Sequence, residues 1–391
     1  MTATLKRGIA SGHRIGIVGG GQLAKMTALP AMALGCEIVI LERNKGTPSQ
    51  SLAAEVMYGD WDDPETLLQL ADKVDIVTLE NEFVDANALA RLEQVGHVLY
   101  PSSRTIGLVQ DKLIQKQTLA EAGIPVAPFI AVSCKQDILA AAEELGWPMV
   151  LKARRNGYDG KGNATLNQAG DIDDAWDKLD GDARELYVEA FCPFKGELAV
   201  MVTRGMNGNM VNYPVVESVQ KDHICHIVRA PARIAPSLSD RAIDMARNAV
   251  TTIDGVGSIG VEMFLTRDNE IILNEMAPRV HNSGHYTIEA CECSQFENHV
   301  RAILGLPLGS CAMIAPAAIM INLLGEEEGS GYPAGIAQAL TVAGAHIHVY
   351  GKESTRVGRK MGHITALGQS MEEAEQKAAT AAKHIRFGAE K

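Results

Sequence analysis

"RIGIVGGGQLAKM", residues 14–26, reads as a buried strand, a glycine turn and the first turns of a helix. Gly19, Gly21 and Ala24 keep the spacing G-x-G-x-x-G/A, and Glu42 ends the next apolar run, EIVILE (37–42). This is close to the dinucleotide-binding fingerprint, in which glycines let backbone N–H groups approach a pyrophosphate. The spacing does not identify the ligand, because any phosphate sits well at a helix N-terminus. Outward from the turn the alternation of strand and helix continues. Asp63-Pro64-Glu65 opens a helix with a capping residue, a proline in first position and an acidic first turn. DIVTLE (75–80) is another buried strand, and HVLYP (97–101) closes the unit. Short apolar strands separated by helices predict a parallel sheet with helices on both faces. Ligands of such sheets sit beyond the carboxyl ends of the strands. The loops Gly19-Gly20-Gly21-Gln22 and Glu80-Asn81-Glu82 fall at that position.

At 391 residues the chain is long enough for two or three domains. It is 46% hydrophobic and 21% charged, ordinary for a globular enzyme. A net charge of −12 without a long Lys/Arg run argues against nucleic acid and anionic membrane as partners. The N-terminal MTATLKRGIASGHR lacks the apolar core of a secretory signal. The longest apolar run, CAMIAPAAIMINLLG (311–325), is too short to span a bilayer and contains Pro316 and Asn322. Seven scattered cysteines predict reduced thiols in a cytoplasm. Cys291 and Cys293, with His281 and His285 upstream, match no common zinc spacing and read better as small buried hydrophobes.

After Pro101 the texture changes. DKLIQKQTLAEAG (111–123) and KQDILAAAEELG (135–146) read as helices stopped by glycine, with GIPVAPF (123–129) as an extended connector. Strand-like runs with polar turns follow, among them ELYVEAF, ELAVMVT, MVNYPVVES and EIILNEM, an antiparallel pattern. Residues 310–391 read as a compact α+β cap ending in an Ala/Glu-rich helix.

Three stretches converge on one task. In VLKARRNGYDGKGN (150–163), Lys152 lies inside an apolar strand, where a cation is costly unless it meets an anion. Gly157, Gly160 and Gly162 follow, and a cation beside free N–H groups suits a nucleoside triphosphate. It is not a P-loop, since Gly162 follows Lys161 where Ser or Thr is needed. In GVEMF (260–264) and IILNEMAPR (271–279), Glu262 and Glu275 lie mid-strand on runs joined by one turn, which lets them face each other. With Asn274 they form a hard-oxygen set suited to Mg²⁺ against substrate phosphates. In APRVHNSGHYT, Arg279, His281 and Asn282 offer a cation and hydrogen bonds to a small oxyanion. His285 reads equally well as a structural histidine.

Lys112, Lys152, the glycine loop, Glu262 and NEMAPR resemble the ATP-grasp superfamily. The longer strings GGGQL, YDGKG, NEMAPRVHNSGHYT (274–287) and YGKESTRVGRKMGHI (350–364) resemble the N5-carboxyaminoimidazole ribonucleotide synthases, from about residue 14 to about residue 370. The resemblance implies an α/β and α+β fold in three parts. These are a parallel αβα, Rossmann-like pre-ATP-grasp domain (1–108), an ATP-grasp domain (109–310, lid about 125–190) and a small C-terminal α+β domain (311–391). It implies ATP- and bicarbonate-dependent carboxylation of 5-aminoimidazole ribonucleotide through carboxyphosphate, in purine biosynthesis. It implies ATP with Mg²⁺, or Mn²⁺ in its place, no NAD, no biotin and a homodimer. By the same resemblance Lys112, Lys152, Gly157, Gly160 and Gly162 hold the ATP phosphates, while Glu189, Ala190 and Phe191 line the adenine. Glu197 takes the ribose, with Gln220 near the nucleotide where the family often carries histidine. Asn274, Glu262 and Glu275 face the metal. Tyr158, Asp159 and Lys161 face substrate and bicarbonate, and Arg279, His281 and Asn282 face carboxyphosphate. Gly21, Gln22, Leu23, Glu80, Lys352, Arg359 and Lys360 bind the ribonucleotide. Val280 stands where proline is usual.

The core residues alone fit two sister activities, a formate-using glycinamide ribonucleotide transformylase and a biotin carboxylase; GRKMGH and the chain length favour the synthase. An NAD-dependent oxidoreductase has only the glycine turn and Glu42 in its favour. A nucleotide-sensing module without catalysis has no use for the paired glutamates.

Overall fold

The structure is a computed structural model and describes residues 12–157, 162–221 and 224–388. The first sheet is four-stranded and parallel, in the order Glu55–Tyr58, Glu37–Glu42, Arg14–Val18, Ile76–Leu79. Both of its faces are covered, which is why its strands read as continuous apolar runs. Ile15, Ile17, Ile38 and Ile40 pack with Ala24 and Ala28 of the helix Gln22–Ala33. Val39, Leu41, Val77 and Leu79 pack with Leu67, Leu70, Leu89 and Leu92 of the helices Pro64–Ala71 and Ala86–Gln94. As the sequence predicts, Asp63 caps the first of these, accepting from the Glu65 and Thr66 amides with Pro64 next in line.

A four-stranded antiparallel sheet, in the order Phe129–Val132, Leu186–Ala190, Met149–Ala153, Asn163–Leu166, carries the helices Lys135–Leu145 and Ile172–Lys178 on one side. Gly146 ends the first of these helices with φ 72°, a conformation a side chain resists.

The third sheet has nine strands and runs through the middle of the molecule. Its path is Ile271–Ala277, Gly257–Thr266, Phe194–Arg204, Val216–Lys221, Ile224–Ala230, Ala317–Leu324, Lys360–Gly368, Ala345–Val349, with Met210–Asn212 beside Phe194–Arg204. The C-terminal segment is α+β: Ser354–Thr355, Gly329–Ala334 and Arg386–Gly388 form a small antiparallel sheet of their own, whereas its other three strands continue the central sheet. Ala317–Leu324 pairs antiparallel with Ile224–Ala230, Ile227 opposite Ile321 and Val228 opposite Met320. The join removes an exposed edge on each side, which a long apolar strand such as AAIMINLL could not leave open. That strand is the heart of the apolar run at 311–325. Among the described residues no helix is long and apolar enough to cross a membrane.

The helix Gln295–Ile303 binds the parts together. It packs on Gly257–Thr266, while Val300 and Ile303 join the core beneath the N-terminal sheet. Ile303 is fully buried, so Ile303→Ala should lower unfolding stability by about 2–5 kcal/mol. Leu29→Ala, at a half-exposed position, should cost within about 0.5 kcal/mol. Urea titrations followed by circular dichroism measure both, and equal effects would show that this helix does not join the two cores.

Candidate active site

The glycine turn is already occupied by carboxylates of the same chain. Gly19 turns with φ 98°. The Gly20 amide donates to Glu42 Oε2 at 2.7 Å; the Gly21 and Leu23 amides donate to the two oxygens of Glu80 at 2.5 and 3.1 Å. Glu80 therefore sits at the N-terminus of the helix Gln22–Ala33, in the place a pyrophosphate takes in a dinucleotide fold. A Cβ at Gly21 would meet Glu80 Oε1 at 2.2 Å, so only glycine admits the carboxylate. Burial raises the Glu80 carboxyl above its ordinary range, and the amide donors oppose this. Gly21, Leu23 and Glu80 thus form one hydrogen-bonded unit, with Gln22 between them as the first residue of the helix.

Glu262 and Glu275 stand directly opposite each other on antiparallel strands. Immediately beyond them the register slips, leaving Asn274 as the extra residue of a bulge. The bulge breaks the alternation that would send Asn274 and Glu275 to opposite faces. Asn274 Oδ1 is buried with no hydrogen-bond partner among the described residues. Burial and the facing charges of Glu275 and Glu197 push the Glu262 carboxyl up to about 8. Burial works the same way on Glu275, but Lys112 at 3.0 Å, with Lys152 behind it, holds that carboxyl below its ordinary value. Two facing carboxylates and a buried, unpartnered amide oxygen make a set of hard-oxygen donors. Hard-oxygen coordination of Mg²⁺ fits it.

The cations come from several segments. Lys112 opens the helix Lys112–Glu121, whose N-cap, Asp111, is held by Arg154 at 2.7 Å. Lys152, on the strand Met149–Ala153, reaches Glu189 on its neighbour Leu186–Ala190. The other oxygen of Glu189 meets Lys116 at 2.9 Å, a residue the sequence reading missed. Its spacing held the signal, since Lys112 and Lys116 are four apart and share a helix face. Ala190 ends that strand, and Phe191 beyond it is 42% exposed. Glu197 accepts a hydrogen bond from Gln220, which also donates to Ser218 at 3.0 Å. Gly157 and Gly162 close the base of the glycine loop: a Cβ on Gly162 would lie 2.9 Å from Gly157 Cα. Tyr158, Asp159, Gly160 and Lys161 lie outside the described residues.

Arg279 grips Glu82 with two nitrogens, at 2.5 and 3.1 Å. Glu82 is the second residue the reading of single motifs missed; only its loop was placed near the site. Beside the pair opens a cleft of about 390 Å³, between Asp62 and Asp85 on one side and Gln110, Arg155 and Asn156 on the other. His281 Nε2 lies 3.6 Å from Glu262, and Nδ1 lies 2.9 Å from Ser283 Oγ. Burial, Arg279 and Lys360 bring this imidazole down to about 3, so it is neutral at pH 7. Asn282 sits beside the Cys225 thiol. His285 is not in the cleft: it is buried against Phe296, Tyr350 and His363. Cys291 and Cys293 are likewise interior, their thiols raised by burial to about 12 and about 11.

In the C-terminal part, Lys360 is near enough for its charge to act on Glu262 and His281. Lys352 Nζ donates to the Lys360 carbonyl at 2.7 Å. Arg359 is turned to Ser354, donating to its carbonyl at 2.7 Å and to Oγ at 3.1 Å. The glycine-turn helix reaches the same segment, since Lys25 Nζ donates to the Val349 and Tyr350 carbonyls.

Three family models match this chain. They are a ribonucleotide synthetase preATP-grasp domain over 13–110, an ATP-grasp domain over 117–296 and a phosphoribosylaminoimidazole carboxylase C-terminal domain over 318–377. The chain is 41% identical over 371 residues to N5-carboxyaminoimidazole ribonucleotide synthase of Synechococcus elongatus, covering 94% of this chain and 93% of that protein. It is 42% identical over 371 residues, 93% of its length, to phosphoribosylaminoimidazole carboxylase of Ogataea methanolica, of which it spans 68%. It spans about two thirds of several such carboxylases, 65% of the Candida glabrata protein. The crystal structure of the Thermotoga maritima synthetase superposes with a TM-score of 0.87 at 39% identity, covering 97% of this chain and 100% of that one. The Aspergillus clavatus synthase, in complex with ADP and 5-aminoimidazole ribonucleotide, superposes at 0.86 and 36% identity, covering 95% and 98%. The likeness in sequence and fold runs along nearly the whole length of proteins of one kind: the chain belongs to the N5-carboxyaminoimidazole ribonucleotide synthase family.

Proposed function

We propose that this protein carboxylates 5-aminoimidazole ribonucleotide to N5-carboxyaminoimidazole ribonucleotide, using ATP and bicarbonate, in purine biosynthesis. The observation that carries the reading is the Glu262–Glu275 pair, ringed by Lys112, Lys152, Arg279 and Lys360. A bicarbonate oxygen attacks the γ-phosphorus of ATP, giving carboxyphosphate and ADP. The substrate amine then attacks the carboxyl carbon, phosphate leaves, and a carbamate remains. Both steps bring anions together, so the work of the site is to neutralise and align them. Mg²⁺, or Mn²⁺, held by Glu262, Glu275 and Asn274 would supply charge stabilisation to the transferring phosphoryl group. Lys112 and Lys152 bind the phosphates above the glycine loop of Gly157, Gly160 and Gly162. Glu189, Ala190, Phe191, Glu197 and Gln220 line the nucleoside.

Arg279 and Asn282 hold the carboxyphosphate, and His281, neutral, gives it a hydrogen bond without adding a competing charge. Tyr158, Asp159 and Lys161 serve the ribonucleotide substrate and bicarbonate. Gly21, Gln22, Leu23, Glu80, Lys352, Arg359 and Lys360 take the ribonucleotide, its phosphate on the basic C-terminal residues. NAD has no place in this reading, because Glu80 stands where its pyrophosphate would lie. The enzyme is a homodimer in the cytoplasm, in keeping with seven cysteines that are all free thiols.

Glu275→Gln should lower ATP turnover by about 100-fold or more, roughly 2.7 kcal/mol of barrier, with far-ultraviolet circular dichroism unchanged. Phosphate release with bicarbonate and aminoimidazole ribonucleotide measures it, and turnover within a few-fold of wild type would remove Glu275 from the metal site.

Arg359→Ala should raise the KM for the ribonucleotide by about ten- to a hundredfold, the worth of a charged hydrogen bond at roughly 1.5–3 kcal/mol. The KM for ATP should stay near its original value. Arg359→Lys should recover only part of the loss, since an ammonium lacks the planar fork. Equal damage to both constants would detach Arg359 from the ribonucleotide.

Mg-ATP should raise the thermal midpoint, because a ligand that binds only the folded chain stabilises it. NADH at the same concentration should leave it in place. A shift with NADH alone would restore the dinucleotide reading of the glycine turn.

A further inference from the structure

Lys116 has no part in the reaction as described so far, yet it is among the least exposed charges in the molecule. It is 2% exposed and its partner Glu189 is 3% exposed. Burying such a pair is tolerable only while both members are matched. Glu189 is matched twice: one oxygen meets Lys116 at 2.9 Å and the other meets Lys152. The two lysines differ in position. The Lys116 side chain, on the helix Lys112–Glu121, is 3% exposed, whereas that of Lys152 is 20% exposed and open to solvent.

This asymmetry matters when nucleotide arrives. Lys152 must exchange a carboxylate for phosphates, and a buried carboxylate left with no cation would oppose the exchange. With Lys116 behind it, Glu189 stays paired throughout. We propose that Lys116 is a positioning residue for nucleotide binding: it holds the Glu189 carboxylate from the interior side so that Lys152 is free to pass from Glu189 to the phosphates of ATP. The inference rests on the reading of Lys152 as a phosphate-binding cation. Lys116 touches no substrate and acts through Glu189 alone. Removing it leaves Glu189 with Lys152 as its one cation, and Lys152 stays on the carboxylate.

Steady-state kinetics of the full-length protein, with ATP varied at saturating bicarbonate and ribonucleotide, test this. Lys116→Met should raise the KM for ATP by about tenfold or more while kcat changes by less than about threefold. Because Glu189 also lines the nucleoside, Glu189→Gln alone is the reference for the pair: adding Lys116→Met to it should raise the KM for ATP little further, since a neutral amide no longer detains Lys152, and the two changes are then strongly non-additive. A merely structural lysine would lower the thermal midpoint without that split and without that non-additivity. Lys152→Met is measured alongside. If it leaves the KM for ATP unchanged, the reading of Lys152 fails and takes the inference with it. If Lys152→Met raises the KM and folded Lys116→Met does not, or if Lys116→Met raises it by the same factor with Glu189→Gln present as without it, the role of Lys116 is overturned and the site stands. Should Lys116→Met fail to fold, Lys116→Gln with Glu189→Gln orphans no buried charge and takes its place. A KM for ATP near that of Glu189→Gln alone then supports the role through Glu189, and a tenfold rise above it overturns it.

Discussion

Carboxylates that face each other across neighbouring strands repel, and Glu262 and Glu275 are held in that position by the register of the central sheet. The cost shows in Glu262, whose carboxyl is pushed to about 8. An arrangement of this kind persists only where cations compensate it, and the surrounding structure is organised to deliver them. Lys112 comes from the first turn of a helix, Lys152 from the strand Met149–Ala153, Arg279 from the loop after NEM, and Lys360 from the start of a C-terminal strand. These positions are far apart in the chain. The nine-stranded sheet, continuous from Ile271–Ala277 to Ala345–Val349, carries both carboxylates, Lys360 and the strand before Arg279, while Lys112 and Lys152 are brought to it from a helix and from the separate four-stranded sheet. Pairing of Ile224–Ala230 with Ala317–Leu324 brings the strand that carries Lys360 near enough for its charge to act on Glu262.

The same logic of internal compensation governs the N-terminal domain. A glycine turn that opens a helix exposes N–H groups and a positive dipole end, which an anion stabilises by typically 0.3–1 kcal/mol. Here the anions are Glu42 and Glu80, so the turn is satisfied by its own domain. The helix it opens then packs Leu23 and Met26 against Val280, Phe296 and Tyr350, and Lys25 ties down the segment before Lys352. A dinucleotide-type turn is thereby converted into a joint between three parts of the chain. Arg279 and Glu82 make a second joint, between the loop after the carboxylate strand and the end of a parallel strand.

Much of this was legible in local pattern. The strands and helices around RIGIVGGGQLAKM, the Asp63 cap and the glycine stop at Gly146 follow from periodicity and from residue types with narrow backbone preferences. Glu262 and Glu275 were readable because a short turn between two apolar runs all but dictates an antiparallel pair. The long strings of the resemblance added the family, and with it the C-terminal residues that composition would have left as a solvated basic strand. Lys116 and Glu82 escaped because each looks like an ordinary surface charge until its partner, 73 or 197 positions away in sequence, is brought beside it.

The sequence by itself determined the elements, the family and the chemical character of the site, because hydrophobic period, turn chemistry and motif spacing are properties of neighbouring residues. Only the tertiary structure decided which charges meet. That Glu80 fills the glycine turn, that Glu189 is shared by Lys116 and Lys152, that Arg359 turns to Ser354 and that the C-terminal strands extend the central sheet are all long-range facts. The reason is physical: an ion pair depends on distance and burial, and both are set by strand register and packing between segments that no local pattern connects.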